Sequence, residues 1–461
     1  MPLVYAFIVP HPPLIVPEIG RGEEKKIQKT ITAYEEVAKQ IARINPDTII
    51  LTTPHSILYA DYFHISPGKK AAGSFRNFGA PTVGMEVEYD QDFVSRLEAL
   101  ASSSGIRAGT LGEKDKSLDH ATMVPLYFLN KHLKDYKLVR ISLSGFSPLV
   151  HYRLGKLIRE LTEAEEKTYV FIASGDLSHK LKKDGPYGLS EEGPVFDREV
   201  TEAMANGDFL RFLTFDEALC DAAGECGLRS FIIMAGALDG TRMDSRLLSY
   251  EGPFGVGYAV AAFKPVISDD TRHFDLTFEE KQAQDLEKLK AREDNYVKLA
   301  RASLEHYIRT SRPLERPLDL SGDLLHQKAG VFVSLKMDGR LRGCIGTTMP
   351  TTSSVADEII QNAISAGTGD PRFEPVSEAE LPKLVYSVDV LKRPESIQSK
   401  TELDPKRYGV IVRCRGRSGL LLPNLEGIDS VEEQISIALR KAGIGENEPY
   451  MMERFEVIRH K

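Results

Sequence analysis

LVYAFIVPHPP (residues 3–13) and TIILTTPHS (residues 48–56) share one pattern: an apolar, β-branched run, a proline, then a histidine. Each run reads as a buried strand. Proline cannot donate to a central ladder, so His11 and His55 fall just past two strand ends. Between them Ile27, Ile31, Tyr34, Ala38, Ile41 and Ile44 recur at three- and four-residue spacing, which predicts an amphipathic helix stopped by Pro46. Strand, helix, strand is the unit of an α/β domain. Residues beyond the carboxyl ends of its strands line the crevice where ligands bind.

Working outward, the same pattern predicts strands at 137–143, 169–173, 247–250 and 256–263, with helices near 121–133, 149–161, 194–205 and 228–238. Past residue 263 the chain becomes charged and poor in large apolar side chains, so 266–280 reads as a connection between domains at 1–265 and 281–461. The second domain opens with a helix through Val297, Ala300, Leu304 and Ile308. It continues with strands at 331–336, 385–391, 410–413 and 420–422 and helices near 353–366 and 431–442. The expected architecture is an α/β N-terminal domain, a central sheet flanked by helices, followed by an α+β C-terminal domain.

At 461 residues the chain exceeds a single core, and 42% hydrophobic with 27% charged residues describes an ordinary globular protein. Lys plus Arg number 59 against 67 Asp plus Glu, a net charge of −8, so nucleic acid is not an expected partner. Four cysteines without a C-x-x-C pair fit a reducing cytoplasm better than a disulfide framework. The first twenty residues hold five prolines and no basic n-region, unlike a signal peptide, and no apolar run is long enough to span a membrane.

Pro10, Pro12, Pro13 and Pro54 stiffen the loops that present His11 and His55, and two rigidly held imidazoles suit a metal; the alternative is that each histidine merely caps a turn. A third strand end, SGDLSH (174–179), brings Asp176 and His179 to the same sheet edge. In SLDHATMVPLYFL (117–129), Asp119 reads as a helix N-cap and His120 lies in the first turn, where the helix dipole depresses an imidazole pKa. Glu225 and Cys226 occupy a Gly-flanked turn before an apolar helix, and Glu251 ends another strand. Either acid completes two imidazoles into the 2-His-1-carboxylate face that holds non-haem Fe(II), and sequence order does not choose between them. His64, His132 and His151 lie in polar or helical-surface contexts and are expected to be solvated.

IVPHPP, TTPHS, LDHATMVPL, SGDLSH and the ECG turn, in that order, resemble the class III extradiol ring-cleavage dioxygenases of the LigB-like superfamily and their Memo-like relatives. The resemblance implies an oxidoreductase with Fe(II) held by His11, His55 and Glu225, His179 as acid/base, His120 as a second pocket histidine, and a small aromatic, catechol-like substrate. In the Memo branch the ECG position is read as a metal-binding cysteine, here Cys226, whose soft thiolate shifts preference towards zinc or copper. GRLRGCIGT (339–347), DPRFEPV (370–376) and GLLLP (419–423) resemble the AMMECR1 domain. The pairing is similar to the AmmeMemoRadiSam system, which implies a radical SAM partner and, as the alternative function, a non-dioxygenase recognition or modification component. Cys344, between Gly343 and Ile345 with Arg342 nearby, reads either as an activated nucleophile or as a small buried thiol.

Overall fold

The computed structural model describes residues 2–461 except 114, 338 and 426. The chain divides into two compact units, residues 1–280 and 281–461. The first contains strands β1 (Leu3–Val9), β2 (Thr48–Thr53), β3 (Phe63–His64), β4 (Lys70–Phe75), β5 (Ala80–Tyr89), β6 (Ala108–Gly109), β7 (Lys137–Ser142), β8 (Tyr169–Ser174), β9 (Thr241–Glu251) and β10 (Tyr258–Ser268). Eight of them form one sheet in the order β4-β5-β7-β2-β8-β1-β10-β9, and β3 pairs with β6 separately. The run from β5 to β1 is parallel; β4 at one end and β10 and β9 at the other are antiparallel.

Parallel strands buried on both faces read as continuous apolar runs. Ala6 and Ile8 of β1 pack with helices Gln91–Ser103, Pro148–Glu163, Glu192–Asn206 and Leu228–Ala237. Phe7 and Val9 face the other way, against helices Gln28–Ile44 and His120–Leu129. The register then places the strand ends. Val9 pairs with Ser174 and Thr52 with Ala173, so β1, β8 and β2, adjacent in the sheet, finish level with one another. Everything that follows these strands emerges at one edge.

Residues 266–280, expected as a connection, are regular structure: the end of β10, a 3-10 turn at Asp270–Arg272 and the first part of helix Phe274–Arg292. Phe274 and Phe278 pack on the first unit's core, so the unit extends beyond 265. The β4–β5 hairpin has no counterpart in the sequence reading, because KAAGSF lacks the β-branched run by which strands are recognised.

The second unit carries β11 (Val331–Met337), β12 (Arg340–Gly346), β13 (Val385–Leu391), β14 (Glu395–Ile397), β15 (Gly409–Cys414), β16 (Arg417–Leu421), β17 (Met451–Phe455) and β18 (Val457–His460). They form two antiparallel sheets, β12-β11-β13-β18 and β14-β17-β15-β16. Helices Asn295–Thr310 and Val355–Thr368 cover the first, and helix Val431–Ala442 covers the second, as expected of an α+β unit.

Candidate metal centre

The level strand ends bring His11, His55 and the 174–179 loop together. The His11 backbone N–H donates to Asp176 Oδ1 at 2.8 Å, which ties the end of β1 to the segment after β8. In the His11 ring, Nδ1 lies 3.0 Å from Ser174 Oγ, which itself donates to the Ala121 carbonyl at 2.7 Å. The other ring nitrogen, Nε2, is 3.7 Å from Cys226 Sγ. The His55 N–H donates to Thr53 Oγ1 at 3.2 Å, and that hydroxyl donates to Asp119 Oδ1. Asp119 is the expected N-cap, accepting the Thr122 N–H at 3.0 Å, and it holds His120 at the start of the helix. The three rings pack as a cluster, with centroids 4.8 Å apart for His11 and His55, 4.4 Å for His55 and His120, and 5.4 Å for His11 and His120.

Among the described residues, the donor group compact enough to hold a metal is His11, His55 and Cys226, whose ligand atoms all lie within 4.8 Å of one another. Glu225, expected as the third ligand, is not in it. Its Oε2 turns back to accept the Leu228 N–H at 2.7 Å. The reason is local: Gly227 is the N-cap of helix Leu228–Ala237 and has no side chain to satisfy the free N–H groups there, so Glu225 supplies the acceptor while its neighbour Cys226 approaches His11. Glu251 is engaged elsewhere, accepting from the Thr30 N–H and hydroxyl at 2.8 Å.

His179 follows the same strand end. Its backbone N–H donates to the Ala223 carbonyl, its ring lies 5.2 Å from that of Tyr187, and its Nε2 is buried with no hydrogen-bond partner among the described residues. His132 is exposed beside Glu35, in keeping with a solvated position. His64 and His151 depart from that expectation and are both buried. His151 Nδ1 faces the Ser147 carbonyl at 3.0 Å, and His64 Nε2 lies 3.4 Å from Glu113 Oε2. Their polar sequence neighbours disguised positions that tertiary packing encloses.

Burial sets the electrostatics. It lowers His11 well below the usual imidazole range, with His55, His120 and His179 adding repulsion, and brings His120 and His179 to about 4. His11 is therefore neutral, and its 3.9 Å approach to Asp176 is not an ion pair. Burial pushes Asp176 and Glu225 up to about 7 and raises the Cys226 thiol well above its ordinary value.

A cavity of about 1290 Å³ opens beside the cluster, lined among others by His55, His120, Tyr59, Phe78 and Glu113. The Phe78 ring, carried by the unforeseen hairpin, meets His120 at 5.2 Å. Behind the wall the buried Arg140 donates to Glu113 Oε1 at 2.5 Å, the Ser117 carbonyl at 2.9 Å and Ser66 Oγ at 2.6 Å, holding Glu113 and Ser117 in place. In the second unit, Cys344 lies half-buried in β12, where its Sγ accepts the Ser334 hydroxyl at 3.2 Å and burial raises its pKa.

A helix-covered, largely parallel sheet with two histidines and a third donor at its carboxyl edge defines a LigB-type domain. The chain belongs to the family described as the catalytic LigB subunit of aromatic ring-opening dioxygenase, whose model matches residues 5–261, and its residues 297–460 match the AMMECR1 model. Protein CA_C1420 of Clostridium acetobutylicum is 44% identical over 463 residues, covering 99% of this chain and 98% of its own. A Thermotoga maritima protein is 50% identical over 171 residues, 37% of this chain and 98% of its own. Among solved structures, the uncharacterized protein PH0010 from Pyrococcus horikoshii is 34% identical with a TM-score of 0.34, over 36% of this chain and 88% of its own.

Proposed function

We propose that the first unit is a metal-dependent oxidoreductase of the ring-opening dioxygenase type, acting on a catechol-like diol. The observation that carries this reading is the convergence of His11, His55 and Cys226, one of which, His55, lines a cavity together with His120, in a chain of the LigB family. The side chains fit a metal: two neutral imidazoles and a thiol form a compact donor set, and His179, whose buried Nε2 has no hydrogen-bond partner among the described residues, lies close enough to His11 and His55 to repel their protonated forms. His11, His55 and Cys226 would hold the ion, which supplies Lewis acidity that makes a coordinated hydroxyl easier to deprotonate. His179, neutral near pH 7, would take the diol proton on Nε2 and later return it. His120 and Phe78 would pack against the ring and exclude water from that side.

The third donor favours a second reading. A thiolate is softer than a carboxylate and suits zinc or copper(I) as well as Fe(II), so the unit would instead be a metal-binding recognition or modification component working with a radical SAM partner. Oxygen uptake with a panel of catechols after anaerobic Fe(II) loading separates the two. Uptake that tracks ring opening supports the oxidoreductase; tight binding of zinc or copper(I) with no uptake on any catechol favours the second reading.

A further inference from the structure

Pro125 interrupts the ladder of helix His120–Leu129. Proline has no N–H, so the carbonyl four residues earlier, that of Ala121, receives no helical bond. This buried carbonyl is served from outside the helix by the Ser174 hydroxyl, at 2.7 Å. A hydroxyl has one proton to give. With that proton on Ala121, Ser174 Oγ can only accept from the His11 ring nitrogen 3.0 Å away, so Nδ1 carries the hydrogen and Nε2 is bare. Nε2 is the atom that approaches Cys226. Among the described residues no comparable hydrogen bond fixes the His55 ring.

We propose that Pro125 and Ser174 are positioning residues that fix the tautomer of His11, so that its Nε2 lone pair faces the donor cluster. Were residue 125 to carry an N–H, the Ala121 carbonyl would have a helical donor and the Ser174 proton could turn to His11 Nδ1, which would leave the hydrogen on Nε2 and block coordination. The use of the bare nitrogen rests on the metal-centre reading above; the tautomer does not.

The test is the ¹⁵N spectrum of labelled histidine in the metal-free full chain, together with zinc titration against a competing chelator, for wild type, Pro125→Ala, Ser174→Ala and Ser174→Thr. Wild type should show His11 protonated on Nδ1. Ser174→Ala should weaken zinc about tenfold or more, as loss of an orienting partner does, and Ser174→Thr should restore it. Pro125→Ala should move His11 towards the Nε2–H form and weaken zinc, with no fall in thermal midpoint because the helix regains a bond. A merely structural role would move the midpoint and leave the tautomer alone. Wild-type tautomer and zinc affinity in Pro125→Ala and Ser174→Ala would overturn the proposal. If Ser174→Ala does not fold, Pro125→Ala decides alone, since it removes no side-chain hydrogen bond. Should wild type bind neither zinc nor, under anaerobic loading, Fe(II) while Pro125→Ala still shifts the tautomer, the metal-centre reading falls and this one stands.

Discussion

Exchanging the two neighbours Glu225 and Cys226 in turn probes the donor set most directly. Changing a residue that only orients a ligand costs about 10- to 100-fold in metal affinity, so losing one of three direct donors should cost more than about 100-fold, or about 2.7 kcal/mol. Cys226→Ser keeps the shape of the side chain and should lose the metal by that margin. Glu225→Gln keeps an oxygen for the Leu228 N–H, now accepted at 2.7 Å. A whole cap is worth about 0.5–2 kcal/mol, and the amide retains part of it. The expected loss is under about 1 kcal/mol of folding stability, with zinc affinity unchanged to within about threefold because Glu225 is outside the donor set. Chelator competition reads the first quantity and urea unfolding the second. Retained metal in Cys226→Ser together with lost metal in Glu225→Gln would refute the reasoning and return the site to a carboxylate ligand.

Burial holds His64 at about 4 and His151 at about 3 in the folded chain, below the free imidazole, so the unfolded chain binds the extra protons first. Each histidine should therefore withdraw up to about 1.4 kcal/mol per pH unit as pH falls from about 6.5 to those values, against an opposite contribution from Asp176 and Glu225, which burial raises to about 7; urea titrations of wild type and His151→Gln at pH 7 and pH 5 isolate the histidine share, and the same pH dependence in both proteins contradicts it. Cys344 should alkylate more slowly than free glutathione at pH 7.5, because burial raises its thiol, yet before Cys220, which is buried and pushed up to about 12; mass-resolved labelling gives the order. Limited proteolysis should cut first within residues 281–292, the largely exposed part of helix Phe274–Arg292, and not within 266–280, which includes the core-packed Phe274 and Phe278.

His11 and His55 were legible because a buried parallel strand leaves a continuous apolar run, and a proline marks its end. Asp119 was legible because a cap is a local contest between one side chain and the N–H groups of the next turn. The choice between Glu225 and Cys226 was not, since it depends on Gly227 leaving helix N–H groups that one of the two must serve. His64 and His151 were misread for a different reason: a polar neighbourhood in sequence says nothing about which strands and helices close over a residue. The role of Ser174 required two partners, Ala121 and His11, that lie 53 and 163 residues away along the chain.

The three donors come from the chain following β1, the chain following β2 and the turn before a late helix, with His11 and Cys226 separated by 215 positions. No partly built chain contains this constellation, because it exists only once β1, β8 and β2 have aligned and the 228–237 helix has docked on them. A ligand that needs all three donors cannot template folding. It can only act on the finished sheet, lowering the free energy of the native state by mass action and slowing its escape. An ion held by all three would thus report that the whole N-terminal unit has been assembled, and its release would be among the earliest signs that the sheet has begun to open.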